Sequence, residues 1–316
     1  MIDLVLQILL LAFSLVLLAS AGHFTINAVE KLIELTGLSE VSAGFVILAV
    51  LTSTPEMTIA SFSVLEGTPG ISVGDVLGSN VFNIAVVIGI VAMFGYLRTC
   101  CTELLVELTD ILFLTTLIPL LLVISHYHVL SIASPIVGGI LLATFAANTY
   151  LVIRKRTPPV KMDTSKTTEK RTLKPVVAKL LIGFACLVVA ARLVVYSGSN
   201  MAVFLGVPPI LIGAKVVAIG TSLPELTLDF VAARRGRVQL AIGDIIGSNL
   251  TNLTLVLGIV LIASPVAVDM TVLTEILPFM LITTIIFWRF LTTGGVSKFG
   301  GLVLLMTYIV FEAILV

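Results

Sequence analysis

Two copies of one polar motif lie within apolar stretches of this 316-residue chain. The first copy is Thr-Ser-Thr-Pro-Glu at residues 52–56, and the second is Thr-Ser-Leu-Pro-Glu at residues 221–225. Each copy offers a carboxylate and hydroxyl groups, and its proline removes a backbone N–H and clashes with the carbonyl group four residues earlier. That carbonyl belongs to Leu51 in the first copy and to Gly220 in the second. We therefore expect each motif to break a helix and to present side-chain and backbone oxygens together.

A second pair of motifs supplies amide and hydroxyl groups. The sequence Gly-Ser-Asn-x-x-Asn occurs at residues 78–83 and again at residues 247–252. In each copy the serine and the second asparagine are four residues apart, so the two side chains share one face of a helix. The glycine of each copy allows a neighbouring helix to approach closely. The paired side chains are Ser79 with Asn83 and Ser248 with Asn252.

The four motifs together offer only hard oxygen ligands. Glu56 and Glu225 contribute carboxylates, and no Cys or His lies in any motif. Amide oxygens come from Asn83 and Asn252. Calcium takes roughly 6–8 oxygen ligands in flexible geometry, so it suits this set better than zinc or copper does. Two carboxylates also balance the charge of one divalent cation, and the residues therefore favour a calcium site.

The elements that must position these groups are membrane-spanning helices. Hydrophobic residues make up 58% of the chain and charged residues 11%, and the mean hydropathy is +1.19. This composition lies far from that of soluble domains and excludes soluble enzymes, nucleic-acid binders and disordered tails. Hydropathy and turn signals predict an all-α polytopic membrane protein with ten spans. They lie near 3–22, 41–65, 71–97, 105–125, 129–153, 176–197, 209–233, 239–264, 272–290 and 299–316.

The distribution of basic residues predicts the orientation. The stretch 154–179 between the fifth and sixth spans carries nine of the 18 Lys and Arg residues, and such loops stay in the cytoplasm. With five spans on either side, both termini are then extracellular. The loops near 66–70, 126–128, 198–208 and 265–271, which fall outside, contain no Lys or Arg. Seven further basic residues fall on loops or span ends of the cytoplasmic side: Lys31, Arg98, Arg234, Arg235, Arg237, Arg289 and Lys298. Arg192 and Lys215 lie within spans.

The two halves of the chain are related by an internal repeat. Residues 44–91 align without a gap to residues 213–260, and 18 of the 48 pairs are identical. Most of the identities are polar residues, Gly or Pro, which shared hydropathy does not explain. Five spans separate the copies, so the copies enter the bilayer from opposite sides. An inverted repeat with broken helices indicates a transporter with a central binding site, whereas a channel or an intramembrane enzyme does not need this symmetry.

These motifs resemble the cation/calcium exchanger superfamily, specifically its prokaryotic sodium/calcium exchangers. The resemblance spans nearly the whole chain and is most specific at Gly-Thr-Ser-Leu-Pro-Glu-Leu (220–226) and Gly-Ser-Asn-Val-Phe-Asn (78–83). It implies that several sodium ions enter for one calcium ion that leaves, by alternating access, with Glu56 and Glu225 as central calcium ligands. It further implies backbone or hydroxyl oxygens from Thr52, Thr221, Ala49 and Ala218. Sodium sites or a solvated position would be completed by Ser53, Ser222, Ser79, Ser248, Asn83 and Asn252.

The chain departs from the family pattern at several positions. Leu51 replaces a glycine, and Asn252 stands where potassium-dependent members have Asp. Asp75 and Asp244 stand where Asn is common, and both helix capping and attraction of ions fit these two acids. Asp229 follows Glu225 by one turn and aligns with Ala60, and Lys215 aligns with Val46. Proton/calcium exchange on the same scaffold is the main alternative, although those relatives carry Gly-Asn before the first glutamate.

The expected organisation has two five-helix repeats of opposite orientation, at residues 1–153 and 176–316, joined by a cytoplasmic basic loop at 154–175. The central hairpins of the repeats cover 41–97 and 209–264. We expect an electrogenic antiporter in the cell membrane, without enzymatic activity or a prosthetic group. Its expected partners are transported Ca²⁺ and Na⁺ and the lipid bilayer, with no nucleic acid and with one chain as the transport unit.

Overall fold

The computed structural model describes residues 2–65, 69–98, 102–126, 132–154, 173–204, 218–264 and 270–314. These residues form helices and short turns, and no strand occurs among them. The first half contains α1 (Ile2–Thr36), α2 (Glu40–Ala43), α3 (Ala49–Thr52), α4 (Thr54–Leu65), α5 (Pro69–Phe82), α6 (Gly89–Met93), α7 (Glu103–Thr116), α8 (Leu120–His126) and α9 (Ser134–Arg154). The second half contains α10 (Leu173–Phe204), α11 (Ala218–Thr221), α12 (Leu223–Arg234), α13 (Val238–Thr251), α14 (Leu257–Ala263), α15 (Met270–Thr292) and α16 (Lys298–Ile314).

Among the described residues, three π-helical turns interrupt the helices that carry the polar motifs. They are π1 (Gly44–Leu48) between α2 and α3, π2 (Asn83–Ile88) between α5 and α6, and π3 (Asn252–Val256) between α13 and α14. Turns of this kind occur frequently at functional sites. The second and third turns each begin at an asparagine that the sequence predicts to be a ligand.

The polar motifs lie on four interrupted helices at the centre of the molecule. The segment from α2 to α3 packs against α13, while α5 packs against α4 and α15. Every residue from Leu240 to Thr251 is buried. The other helices surround this centre: α1 pairs with α10, α9 packs on α14, and α16 packs on α6. A broken helix of one half is thus held against an asparagine-bearing helix of the other half.

Glycines on α13 make that packing close. A Cβ atom on Gly243 would lie 2.8 Å from the backbone oxygen of Val41, and one on Gly247 would lie 2.7 Å from the Cβ atom of Ala49. A Cβ atom on Gly44 would likewise collide with the backbone of α13. The predicted role in close helix approach is confirmed for Gly247 by these distances, whereas no described atom lies within 4 Å of a Cβ atom added to Gly78.

The helices fit a protein that crosses a membrane many times. Among the described residues, seven helices are long and apolar enough to span a bilayer, and the segment Ile276–Thr292 is a shorter apolar helix. The α16 helix has 17 residues, and the predicted span at 209–233 begins outside the described residues. The all-helical, multi-pass fold is confirmed, and the count of ten spans remains a prediction.

The first helix is much longer than the predicted span at 3–22. It continues to Thr36 and carries polar residues in its last turns. These residues bind the loop between α12 and α13: Nη2 of Arg235 lies 2.9 Å from Nδ1 of His23, and Arg237 lies 3.4 Å from Glu30. Arg237 also pairs with Glu40 at 2.7 Å. A hydropathy criterion ends the span where polarity rises, whereas tertiary ion pairs allow the helix to continue.

Candidate cation-binding site

Each Pro-Glu motif follows a break in its helix. The break falls at Ser53 (φ −76°, ψ 4°) and at Ser222 (φ −93°, ψ 5°), near the sparsely populated bridge region of backbone conformations. It therefore lies two residues before each proline. Pro55 and Pro224 fall in the first turn of the following helix, where a missing N–H is not needed. The sequence predicted the two breaks correctly, and the structure fixes their positions.

Glu56 and Glu225 occupy the first turns of α4 and α12, where the helix dipole favours a negative charge. Both side chains are 0% exposed. None of their four carboxylate oxygens has a hydrogen-bond partner among the described residues, and the two groups lie close enough to interact electrostatically. An unpartnered buried carboxylate is costly, so two facing each other indicate groups arranged to ligate a cation.

The asparagines are held through their nitrogens. Nδ2 of Asn83 donates to Oδ1 of Asn249 at 3.1 Å, and Nδ2 of Asn252 donates to Oγ of Ser79 at 3.3 Å. The Oδ1 atoms of Asn83 and Asn252 are buried and have no donor among the described residues. Each amide is thus anchored on one side and keeps its oxygen as a potential ligand.

The predicted hydroxyl residues connect the two repeats. Oγ1 of Thr52 lies 2.9 Å from Oγ of Ser248, and Thr221 donates to Oδ1 of Asp75 at 3.3 Å. Ser53 and Ser222 are 0% exposed, and their hydroxyls have no hydrogen-bond partner among the described residues. The hydroxyl oxygens at the two helix breaks are therefore buried without a hydrogen-bond partner among the described residues, as the carboxylate oxygens of the two glutamates are.

The two alanines lie one turn before the helix breaks. The carbonyl of Ala49 accepts the backbone N–H of Ser53 at 3.1 Å and the hydroxyl of Thr52 at 3.5 Å. Ala218 is the first residue of α11. The carbonyl of Ala49 is thus hydrogen-bonded to both Thr52 and Ser53. The role of Ala49 as a ligand remains a proposal.

Sequence reasoning gave no role to Asn80 and Asn249, which join α5 to α13 across the centre of the molecule. Nδ2 of Asn80 donates to the backbone oxygen of Asn249 at 3.2 Å, and Nδ2 of Asn249 donates to that of Asn80 at 3.5 Å. The two residues are identical repeat mates, so the signal was present in the self-alignment. Their reciprocal bonds hold the two asparagine-bearing helices together.

Two acids left open by the sequence analysis prove to be part of the same network. Asp244 Oδ1 accepts hydrogen bonds from Thr52 at 3.4 Å and from Ser248 at 3.2 Å. Asp75 accepts the corresponding bond from Thr221. Both acids lie in the second turn of their helices rather than at a cap, so the helix-capping interpretation is wrong. Lys215, the other undecided position, lies outside the described residues.

The site does not consist of a cluster of acids alone. Within the described ranges, no group of three or more His, Cys, Asp or Glu residues is placed to hold a metal ion. Amide, hydroxyl and carbonyl oxygens would have to supplement the two glutamates. A mixed oxygen set of this kind suits Ca²⁺ and Na⁺, which accept neutral oxygen ligands.

Comparison with known proteins agrees with this geometry. A sequence model of the family described as sodium/calcium exchanger protein matches residues 6–154 and 176–316. The sodium/calcium exchanger MaX1 of Methanosarcina acetivorans is 26% identical and aligns over 97% of each chain. CaxA of Alkalimonas amylolytica is 30% identical, and the alignment covers 84% of this chain and 83% of CaxA.

Solved structures of a sodium-calcium exchanger have the same fold as this chain. The sodium-calcium exchanger NCX_Mj, soaked without Na⁺ and Ca²⁺, matches with a TM-score of 0.83 at 23% identity, over 99% of this chain and 100% of NCX_Mj. Fold and site together define a multi-pass membrane transporter of cations. The chain belongs to the sodium/calcium exchanger protein family. It is accordingly a cation/Ca²⁺ exchanger whose ions are transported substrates.

Proposed function

We propose that this exchanger couples the entry of Na⁺ to the extrusion of Ca²⁺ by alternating access, with net movement of charge. The observation that carries the proposal is a set of buried acceptor oxygens that have no hydrogen-bond donor among the described residues. It recurs in both repeats, on Glu56 and Glu225, Ser53 and Ser222, and Asn83 and Asn252. A symmetric set of this kind supports one site that each repeat can open to its own side of the membrane.

The proposed ligands divide between the ions by charge. Glu56 and Glu225 ligate Ca²⁺, because two carboxylates offset a divalent ion in a buried site. Thr52, Thr221, Ala49 and Ala218 add hydroxyl or backbone oxygens. The neutral ligands Ser53, Ser222, Ser79, Ser248, Asn83 and Asn252 complete neighbouring Na⁺ sites or a solvated position. Na⁺ and Ca²⁺ then compete for the same carboxylates, which is the physical basis of exchange.

The proposed arrangement in the membrane follows from the distribution of basic residues. The repeats at 1–153 and 176–316 have opposite orientations, their hairpins at 41–97 and 209–264 form the ion site, and the loop at 154–175 is cytoplasmic. Both termini are extracellular. One chain contains both halves of the site, so a single chain is the proposed transport unit.

The choice of coupling ion is tested in proteoliposomes that contain the purified full chain. Calcium uptake is measured with an outward Na⁺ gradient, with an outward proton gradient and with no gradient. We expect uptake only when Na⁺ can leave the vesicle. Uptake driven by protons alone would establish the proton/calcium alternative, and uptake at equal rates without either gradient would indicate a passive channel.

A further inference from the structure

A groove on the outside of the molecule has no part in the ion site described above. It lies between α1, α6 and α12 and has a volume of about 380 Å³, which is within the roughly 300–1,000 Å³ of ligand clefts. Its apolar lining includes Leu15 and Leu18 of α1, Ile90 and Phe94 at α6, and Leu226 and Phe230 of α12. Leu15 is 49% exposed and Phe94 is 60% exposed, so the groove is open to the surface. In a multi-pass membrane protein, an open apolar groove of this kind faces lipid.

The length of the groove corresponds to one leaflet of the bilayer. On α12 its lining extends from Leu226 to Arg234, and on α1 from Leu15 to His23. Each stretch covers about 12 Å of helix. Half of the hydrocarbon core of a bilayer is about 15 Å thick. The groove can therefore hold an acyl chain that runs along the helices.

Arg234 and His23 make one end of the groove polar. The two residues lie at the same end, because Nδ1 of His23 is 2.9 Å from Nη2 of Arg235, the residue that follows Arg234. An arginine only donates, so Nδ1 of His23 is the acceptor and the proton of the neutral ring is on Nε2, which is a further donor. Arg235 is paired with Glu30, whereas Arg234 is exposed and has no ion pair among the described residues. This end of the groove thus offers an unpaired cation and an N–H group to an anion.

The polar end lies where an anionic headgroup is expected. Arg234 and His23 directly follow the predicted spans that end at residues 233 and 22, on the side to which the basic residues assign the cytoplasm. Tyr96, a residue type enriched at membrane interfaces, packs on Phe230 at this end with ring centroids 6.4 Å apart. Anionic lipids concentrate in the cytoplasmic leaflet, where basic pockets between helices bind their headgroups. The repeat mate of Arg234 is Leu65, so the first repeat has no equivalent cation.

We propose that this groove binds one anionic phospholipid, with its phosphate on Arg234 and His23 and an acyl chain between α1, α6 and α12. A headgroup without an ammonium group matches a single unpaired arginine, whereas the ammonium of a zwitterionic headgroup would be repelled by it. The inner part of the groove is lined by Leu226, the neighbour of Glu225, so the bound lipid contacts the helix that carries a proposed calcium ligand. Only the choice of leaflet rests on the proposed orientation.

Binding is measured by native mass spectrometry of the purified full chain in a non-ionic detergent. The probes are phosphatidylglycerol and phosphatidylcholine with identical acyl chains. Arg234→Gln removes the charge, and Arg289→Gln is its matched control, because Arg289 is also an exposed basic residue in the last turn of a helix but does not line the groove. Ala19→Phe fills the apolar part of the groove, and Ser20→Phe is its control, since Ser20 is exposed and lies outside the lining.

We expect the wild type to bind phosphatidylglycerol about tenfold more tightly than phosphatidylcholine, because only the former has a net charge for Arg234. Arg234→Gln and Ala19→Phe should each weaken the binding of phosphatidylglycerol by about fivefold or more, and both controls should match the wild type. Thermal unfolding in detergent checks that each variant is folded.

Equal binding of the two lipids, or a preference that Arg234→Gln leaves within about fivefold or Arg289→Gln abolishes equally, would show general contact with lipid and overturn the proposal. A loss in Arg234→Gln without a loss in Ala19→Phe would place the headgroup on the surface and overturn the role of the groove. These measurements involve no ion gradient, so they stand or fall independently of the proposed exchange.

Discussion

Glu56 and Glu225 differ from the acids on the surface in that no basic side chain among the described residues neutralises them. Glu34, for comparison, lies 3.0 Å from Lys31 and is half exposed. No described basic side chain pairs with either central glutamate, and no described donor satisfies their oxygens. In the proposed mechanism a bound cation provides the compensation that a salt bridge provides elsewhere, and we therefore expect these two residues to be the most sensitive to substitution.

Replacing either glutamate by glutamine should lower calcium transport by about 100-fold or more, because breaking a buried charge pair costs roughly 3–5 kcal/mol. The measurement is ⁴⁵Ca²⁺ uptake into proteoliposomes under an outward Na⁺ gradient. Glu34→Gln is the control and should transport normally, since a pair on the surface contributes little. Vigorous uptake by Glu225→Gln would contradict the assigned role.

Asn252 leads to a prediction about potassium. Potassium-dependent members of the wider superfamily hold an acid at this position, whereas the neutral amide here reduces the attraction for an additional monovalent ion. The Nδ2 atom of Asn252 is already bound to Ser79, so only its Oδ1 atom can face a cation. Exchange should proceed at full rate with K⁺ absent from both sides of the vesicle membrane. A strict requirement for K⁺ would count against the ligand assignment.

At the scale of the elements, the close contact between α13 and the broken helix α2–α3 brings the repeats together. Gly247 permits that contact, and the next residue, Ser248, bonds to Thr52 across it. The π-helical turns after α5 and α13 both start at an asparagine of the site. The small residue Gly247 thus lets the two helices pack closely enough for the short side chains of Thr52 and Ser248 to meet.

Gly247→Ala tests that contact. The added Cβ atom would lie 2.7 Å from the Cβ atom of Ala49 and 2.8 Å from the Cα atom of Phe45, so α3 must shift. We expect a loss of roughly 1–3 kcal/mol in stability, as overpacking usually costs, together with slower exchange.

Gly139→Ala is the matched control, because Gly139 is an exposed helical glycine with no described atom near an added Cβ. It should leave exchange unchanged and should not lower the melting temperature. Thermal unfolding and ⁴⁵Ca²⁺ uptake of both variants provide the comparison. Equal behaviour of the two glycine variants would show that the α13–α3 contact is not important for the site.

At the scale of the whole molecule, the arrangement of charge is the basis of both the proposed orientation and the proposed electrical behaviour. Described basic side chains cluster around the α12–α13 loop and the end of α1, where Arg235 and Arg237 bind Glu30. The buried centre contains acids and no described Lys or Arg. The proposed orientation puts the basic cluster in the cytoplasm and the acidic centre within the membrane.

Thiol labelling tests this orientation. Cys100 and Cys101 follow Arg98 in a loop that the sequence predicts to be cytoplasmic, and Cys186 is replaced by Ser so that only the adjacent pair remains. A membrane-impermeant thiol reagent should label the pair in permeabilised cells and leave it unlabelled in intact cells. Labelling of intact cells would reverse the proposed topology.

Charge movement follows from the number of carboxylates. Glu56 and Glu225 carry a charge of minus two when ionised, which one Ca²⁺ neutralises, whereas three Na⁺ ions would leave one positive charge on the loaded protein. Sodium-driven calcium efflux should therefore carry positive charge inward. An inside-negative potential should accelerate it, at about 2.3 kcal/mol per elementary charge per 100 mV. The measurement is exchange under a valinomycin-imposed potential, and rates independent of voltage would contradict this mechanism.

Local sequence patterns were enough to predict the all-helical fold and the internal repeat, and they also led to the proposal that Glu56 and Glu225 are the central acids. Pro55 and Pro224 indicate a helix start, and the breaks fall two residues before them, at Ser53 and Ser222. Glu56 and Glu225 were recognised because uncompensated acids are rare in apolar segments. These features are local, since backbone chemistry and solvent preference act on a residue whatever its neighbours are. The predicted span ended at residue 22 because hydropathy falls there, whereas α1 continues to Thr36 and its end makes ion pairs with the α12–α13 loop.

The tertiary structure alone decided which groups meet. The bonds from Thr52 to Ser248 and from Asn83 to Asn249 join residues more than 160 positions apart. The local sequence does not predict that Oδ1 of Asp244 accepts hydrogen bonds from Thr52 and Ser248, or that Asp229 interacts with Asp244. The bonds that bring Asp75 and Asp244 into the site come from Thr221 and Thr52 of the opposite repeat. They depend on the position of that repeat, which is set by the packing of glycines and buried side chains through the whole molecule.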